Sequence, residues 1–150
     1  MSDSKKKNPL AEPIILTLKE PEEAQQITEM LQDEFPIVNC SEPNRVLRVG
    51  AGKPSFWKPK MFVVDMILPG FGAFDLVRKI ADQFGSKKVP IVMISAYESK
   101  LDELEAYNAG ATAFIVKPLT LEKVHSILEA DEVKKLKGEV MQEVFDINYD

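Results

Sequence analysis

Three polar side chains each follow a run of apolar residues. Asp65 follows Met61-Phe62-Val63-Val64, Ser95 follows Ile91-Val92-Met93-Ile94, and Lys117 follows Ala113-Phe114-Ile115-Val116. A carboxylate can attack phosphorus to give an acyl phosphate. The phosphoryl oxygens then need donors held in fixed places. A serine hydroxyl and a lysine ammonium are suitable donors, and lysine meets phosphate as a compact point charge. Each residue also has a plainer reading. Asp65 could cap the loop that follows it, Ser95 could cap a helix, and Lys117 could serve only as a structural partner for Asp65. The chemistry requires that all three be brought to one crevice.

The elements that would do so alternate along the chain. Ile14-Ile15-Leu16, continuing to Leu18, reads as a first strand. Pro21 opens a helix with Ala24, Ile27 and Leu31 on one face, since proline is tolerated in a first turn. Ile37-Val38-Asn39-Cys40 is a second strand. Asn44 to Val49 could form a short helix before Gly50, Gly52, Pro54 and Pro59 break the pattern, with Trp57 anchoring a loop. Met61–Asp65 is a third strand, apolar on both faces as a central parallel strand should be. A helix carrying Phe74, Val77, Ile80, Ala81 and Phe84 stops at Gly85. Val89–Ile94 is a fourth strand with Pro90 at its start. A helix from Glu98 to Asn108 takes Leu101 and Leu104 as anchors and Gly110 as terminator. Ala113–Val116 is a fifth strand. Thr120 caps a last helix carrying Leu121, Val124 and Leu128. Strict alternation of strand and helix predicts a doubly wound α/β fold, because parallel neighbours need crossovers and crossovers are right-handed. In such sheets ligands bind beyond the carboxyl ends of the strands, where Asp65, Ser95 and Lys117 fall.

The bulk properties agree with one domain. The chain has 150 residues, 45% hydrophobic and 29% charged, with a net charge of −5. Nothing in that balance suggests nucleic-acid binding. A lone cysteine, Cys40, excludes an internal disulfide and suits a cytoplasmic setting; it reads as a small core hydrophobe. No segment has the roughly 18 apolar residues of a membrane span. Residues 1–12, with Lys5-Lys6-Lys7, are expected to be a disordered arm, and 13–130 the domain. Residues 131–150 are expected to be a helical extension or tail. It carries Val133, Leu136, Val140 and Val144 on one stripe, and Gly138 would break it. His125, the single histidine, reads as an ordinary helix residue.

Asp65-Met66-Ile67-Leu68-Pro69-Gly70 resembles the phosphoacceptor loop of response-regulator receiver domains, the CheY-like family. Ser95-Ala96 resembles that family's hydroxyl residue with its small neighbour. Lys117-Pro118, after Gly110-Ala111, resembles its lysine-proline pair, whose peptide bond is usually cis. Phe114 falls at its switch aromatic. The resemblance covers about residues 13–130. It implies a flavodoxin-like five-stranded parallel sheet of order 2-1-3-4-5 with helices on both faces. It implies further a non-enzymatic module of two-component phosphorelay signalling. Asp65 is then the phosphoacceptor, charged by a histidine kinase or phosphotransfer protein, and a downstream protein partner reads the output.

One departure bears on metal. In typical receivers the first strand ends in two adjacent acids before a Glu-Pro-like continuation. Glu20-Pro21 fits the continuation, which puts Leu18 and Lys19 at the acidic positions. Magnesium wants oxygen ligands; leucine offers none and lysine repels the ion. Asp65 and the Ile67 carbonyl would be the remaining ligands, so a Mg²⁺ site is expected to be weak or absent. Lys19 and Lys117 would balance Asp65 and Glu20, with Lys19 as a built-in counter-ion. The alternative function is a pseudo-receiver, the same fold used as an interaction surface without Mg²⁺-dependent aspartyl phosphorylation. Phosphatases of the haloacid-dehalogenase type need a second aspartate where Ile67 stands. A flavodoxin-like carrier needs a glycine-rich phosphate loop where Lys19-Glu20-Pro21-Glu22-Glu23 stands. A Walker loop is absent.

Overall fold

Runs of β-branched and other apolar residues bury both faces of a central sheet. In the computed structural model, which describes residues 12–42, 45–46, 59–68, 71–84 and 89–149, Ile14–Thr17 (β1), Met61–Asp65 (β3) and Ile91–Ser95 (β6) are buried along their whole length. The remaining strands of this sheet are Ile37–Asn39 (β2) and Ala113–Val116 (β7). All neighbours are parallel, in the order β2-β1-β3-β6-β7. Counted along the chain that is 2-1-3-4-5, the expected order. Two short strands, Ile67–Leu68 (β4) and Phe71–Gly72 (β5), form a separate antiparallel pair just after β3, which the sequence pattern did not suggest.

Helices cover the sheet. Pro21–Leu31 (α1) buries Ile27 and Leu31, and its Ala24 and Thr28 line one cleft with Leu16 and Leu18 of the first strand segment. Ala73–Phe84 (α2) buries Ala73, Leu76, Val77 and Ile80. These join Ile15, Phe62, Val64, Ile91 and Met93 in one core, where the Phe62 and Phe84 rings lie 5.1 Å apart. Each fully buried aliphatic side chain there contributes about 1.5–3 kcal/mol. Cys40 is buried as a small hydrophobe, and Phe114 packs half-buried against the core. Pro90 precedes β6, where its carbonyl accepts a hydrogen bond from Phe62 N–H without needing an N–H of its own.

Lys100–Ala109 (α3) corrects one expectation. Its buried residues are Ala106 and Ala109, whereas Leu101 is 80% and Leu104 58% exposed. Small residues let this helix approach its neighbours closely, so the alanines take the inner face and the leucines turn outward. The helix is capped by Ser99, whose Oγ accepts from Asp102 N–H at 3.2 Å. It ends at Gly110, where φ is 118°. That left-handed conformation lets Gly110 N–H reach the Tyr107 carbonyl and Ala111 N–H the Ala106 carbonyl.

Residues up to Leu119 form one compact unit, and those from Thr120 a second. The second is a single helix, Leu121–Tyr149 (α4), started by Thr120 Oγ accepting from Lys123 N–H at 3.2 Å. The expected boundary at 130 lies inside this helix, and Gly138 does not break it. One glycine costs a helix only about 1 kcal/mol, and no proline or cap stands nearby to end it. Val133 and Leu136 on its stripe are half exposed or more, and His125 is half-buried. The N-terminal arm, Trp57, Gly85 and most of the expected helix 44–49 lie outside the described residues. Arg45 and Val46 alone are seen from that helix, in helical conformation.

The inversion in α3 fixes how two substitutions should differ. Leu101→Ala should change the urea-unfolding free energy by less than about 0.5 kcal/mol. Ala106→Leu should cost about 1–3 kcal/mol by overpacking. The reverse ranking would show that the leucines face the core.

Candidate functional site

The carboxyl ends of β3, β6 and β7 are adjacent, so Asp65, Ser95 and Lys117 arrive at one edge of the sheet. The ladder extends past the strands: Met66 N–H bonds the Ile94 carbonyl and Lys117 N–H the Ser95 carbonyl. Asp65 is 4% exposed. A carboxylate so buried must be hydrogen-bonded or paired. Three donors meet it. Its Oδ2 accepts from Lys19 N–H at 3.2 Å and from Lys117 Nζ at 3.3 Å, and its Oδ1 accepts from Ile67 N–H at 3.4 Å.

The Lys117 ammonium has a second and shorter partner, the Glu23 Oε1 at 2.9 Å. Glu23 was not among the expected site residues. It occupies the third position of α1, after Pro21 and Glu22, where the helix dipole favours acidic side chains. An acid at that position often folds back to the N-cap residue when the cap is serine or threonine. Here the N-cap is Glu20, which makes no side-chain capping bond. Glu23 reaches instead across 94 residues of sequence to Lys117. A glutamate in the first turn with no capping-box partner was the available signal.

Lys117 feels opposed influences. Burial pulls its pKa down; the hydrogen bond it donates to Glu23, the charges of Asp65 and Glu23 and the hydrogen bond it donates to Asp65 together outweigh burial and hold it above the ordinary lysine value. Its peptide bond to Pro118 is cis. The Ser95 hydroxyl donates to the Tyr97 carbonyl at 2.8 Å and accepts from Tyr97 N–H at 3.1 Å. It braces the turn after β6 and does not cap α3, a role taken by Ser99. To serve an incoming oxygen it would give up its bond to the Tyr97 carbonyl.

At the acidic-pair positions Leu18 is buried and Lys19 is exposed. Lys19 meets Asp65 through its backbone N–H, so its ammonium is not the counter-ion; Lys117 is. Glu20 is exposed, and Glu23 is the second carboxylate of the cluster. Ile67 presents its N–H to Asp65 as β4 begins. Among the described residues no group of three His, Cys, Asp or Glu side chains could hold a metal ion. Mg²⁺ demands about six oxygen ligands in near-octahedral array. A buried leucine, a backbone N–H and a resident ammonium around Asp65 do not fit that demand.

Residues 19–129 match the sequence model of the response regulator receiver domain. The chain belongs to that family. It is 33% identical over 70 residues to the chemotaxis protein CheY1 of Helicobacter pylori, which covers 47% of this chain and 56% of that protein. It is 30% identical over 61 residues to the response regulator PleD of Caulobacter vibrioides, covering 41% of this chain and 13% of PleD. The chain thus spans from 13% to 56% of the length of these relatives. Among solved structures, a response regulator receiver domain protein from Clostridium thermocellum superposes with a TM-score of 0.71 at 19% identity, covering 83% of this chain and 98% of that one. The BeF3-activated receiver domain of Klebsiella pneumoniae RstA gives 0.67 at 22% identity, covering 79% and 97%. At those identities the likeness is one of fold. The family is that of the receiver domains of response regulators.

A group whose folded pKa is raised contributes stability that is complete below its unfolded value and is lost as pH rises through the folded one. For Lys117 that loss begins above about pH 10.5. Lys117→Met should cost about 1–3 kcal/mol near neutrality by leaving Asp65 unpaired. That deficit, read from urea unfolding, should hold from about pH 7 to 10 and shrink only above it. A deficit that fades below about pH 9 would show that the ammonium is not held by these carboxylates.

Proposed function

We propose that Asp65 is the phosphoacceptor of a receiver module, with Lys117 and Ser95 meeting the phosphoryl oxygens and Phe114 as the switch aromatic. An Asp65 oxygen attacks phosphorus as the bond from phosphorus to a donor nitrogen breaks; the electron pair of that bond stays on the nitrogen, which takes up a proton from water. The product is an acyl phosphate on Asp65. A phosphohistidine on a kinase or phosphotransfer protein is the donor chemistry that suits this step. The observation that carries the reading is the buried Asp65 carboxylate with the Lys117 ammonium at 3.3 Å. Lys117 and the N–H groups of Lys19 and Ile67 already point at Asp65, so charge gathered there meets donors that need little rearrangement.

Output passes to another protein by contact, and the module carries no catalytic activity toward a separate substrate. Tyr97, Leu101 and Leu104 support this, being large apolar side chains that stand 58–80% exposed close to Ser95 and along α3. Exposed apolar groups gathered in one region favour a partner surface. Among the described residues no helix is long and apolar enough to cross a membrane.

The test is incubation with phosphoramidate and intact-mass analysis of wild type and Asp65→Asn. The wild type should gain one phosphoryl group and the variant none. Equal labelling of both would remove Asp65 from the role.

A further inference from the structure

The shorter of the two hydrogen bonds that Lys117 donates goes to Glu23, not to Asp65. Charge-assisted N–H···O bonds have lengths of about 2.7–2.9 Å. The Glu23 contact, at 2.9 Å, falls in that range and the Asp65 contact, at 3.3 Å, lies outside it. A lysine side chain gives up rotamer entropy when fixed, and the long contact to Asp65 offsets that poorly. Glu23 is therefore the anchor that keeps the ammonium at Asp65. Glu23 and Lys117 side chains are each less than a quarter exposed, so solvent weakens the pair less than it would a surface one.

We propose that Glu23 is a positioning residue of this pocket, holding Lys117 on Asp65 as a built-in cation so that phosphoryl transfer to Asp65 proceeds without a divalent ion. The inference rests on the reading of Asp65 as phosphoacceptor. Where two acids would recruit a dication, the chain has the buried Leu18 and the backbone N–H of Lys19. A divalent ion entering on the Oδ2 side of Asp65 would have to expel the Lys117 ammonium from two carboxylates. In the transfer step the O–P bond to Asp65 forms as the P–N bond breaks, the departing nitrogen keeps that electron pair and takes a proton from water, and the Lys117 ammonium supplies the counter-charge. Lys117 faces the Oδ2 side of Asp65. Glu23 touches no reacting atom and acts only through that lysine.

The full chain provides the test. In the ¹H–¹⁵N spectrum of lysine ammonium groups at low temperature, Lys117 should give a resolved Nζ signal, because hydrogen bonding to two carboxylates slows its exchange. Glu23→Gln should abolish the signal while leaving amide shifts distant from the pocket in place. Adding Mg²⁺ should leave the amides of Lys19, Asp65 and Ile67 unshifted in the wild type, and shift them saturably in Leu18→Asp/Lys19→Asp. Phosphoramidate labelling of the wild type should proceed at rates within about twofold in EDTA and in Mg²⁺, and Glu23→Gln should slow it about tenfold in both, a change of about 1.4 kcal/mol in barrier. Labelling only with Mg²⁺, or saturable Mg²⁺ shifts in the wild type, overturns the inference and leaves Asp65 as phosphoacceptor. A Glu23→Gln protein that keeps the Lys117 signal and labels at the wild-type rate also overturns it. No labelling of the wild type under either condition removes the phosphoacceptor reading and this inference with it.

Discussion

The Lys117 ammonium, bonded to Asp65 and Glu23, joins segments that the sheet alone would leave separate. It ties the end of β7 to the end of β3 and to the first turn of α1. Without it a carboxylate 4% exposed would keep only two long backbone hydrogen bonds. An unpaired charge at that depth is strongly destabilising. The cluster therefore constrains the loop between β1 and α1 twice: Lys19 offers its N–H to Asp65, and Glu23 takes hold of Lys117 four residues later. Pro21 between them has its φ fixed, which leaves that loop little freedom to hold the two contacts in other ways.

The sheet supplies the setting in which one ammonium can do this. Strands β1, β3 and β6 are buried on both faces, so a slip of one residue would still bury apolar side chains. Register must then be fixed by what stands at the ends. Asp65 pairs with Ile94 and Ser95 with Val116, placing the polar residues one step apart along a slanted edge. The antiparallel pair of β4 and β5 turns the chain back immediately after Asp65, which aims the Ile67 N–H at the carboxylate. Polar side chains at strand ends thus serve register and chemistry with the same bonds.

Much of this was legible in the sequence because it follows from single segments. Apolar runs of strand length, proline at Pro90, and Thr120 before a periodic helix each carry their own physical meaning. Alternation of such segments nearly dictates a parallel sheet, and strand ends dictate where Asp65, Ser95 and Lys117 go. What escaped depends on distant partners. Periodicity identifies the faces of α3 but not which of them is inside: Leu101 and Leu104 are more apolar than Ala106 and Ala109, yet close packing chose the alanines. Lys19 was read by its side chain, whereas its backbone is what touches Asp65. Glu23 stood in the run Lys19-Glu20-Pro21-Glu22-Glu23 with nothing to name its partner, and only the fold shows that Lys117 comes within 2.9 Å of it.

With a buried leucine at 18 and a lysine at 19, the pocket's counter-charge is the Lys117 ammonium. A cluster of several carboxylates is unstable unless a dication enters, so its structure depends on ion concentration. Two carboxylates sharing one covalently attached ammonium carry their main counter-charge with them, and the remaining excess is a single negative charge. Such a pocket is assembled by folding itself. Its cation cannot be diluted or chelated away, and below the pH at which Lys117 deprotonates it is freed by a change in the carboxylates that hold it. Adding a phosphoryl group to Asp65 would be such a change. The new negative charge would draw Lys117 toward the phosphoryl oxygens and loosen its bond to Glu23, so the first turn of α1 would be the segment that feels the event. In a pocket balanced by a free dication, a chain segment need not be coupled in this way. Here the counter-ion is part of the chain, so a change in charge at Asp65 acts on the backbone of β7 and α1 through one side chain.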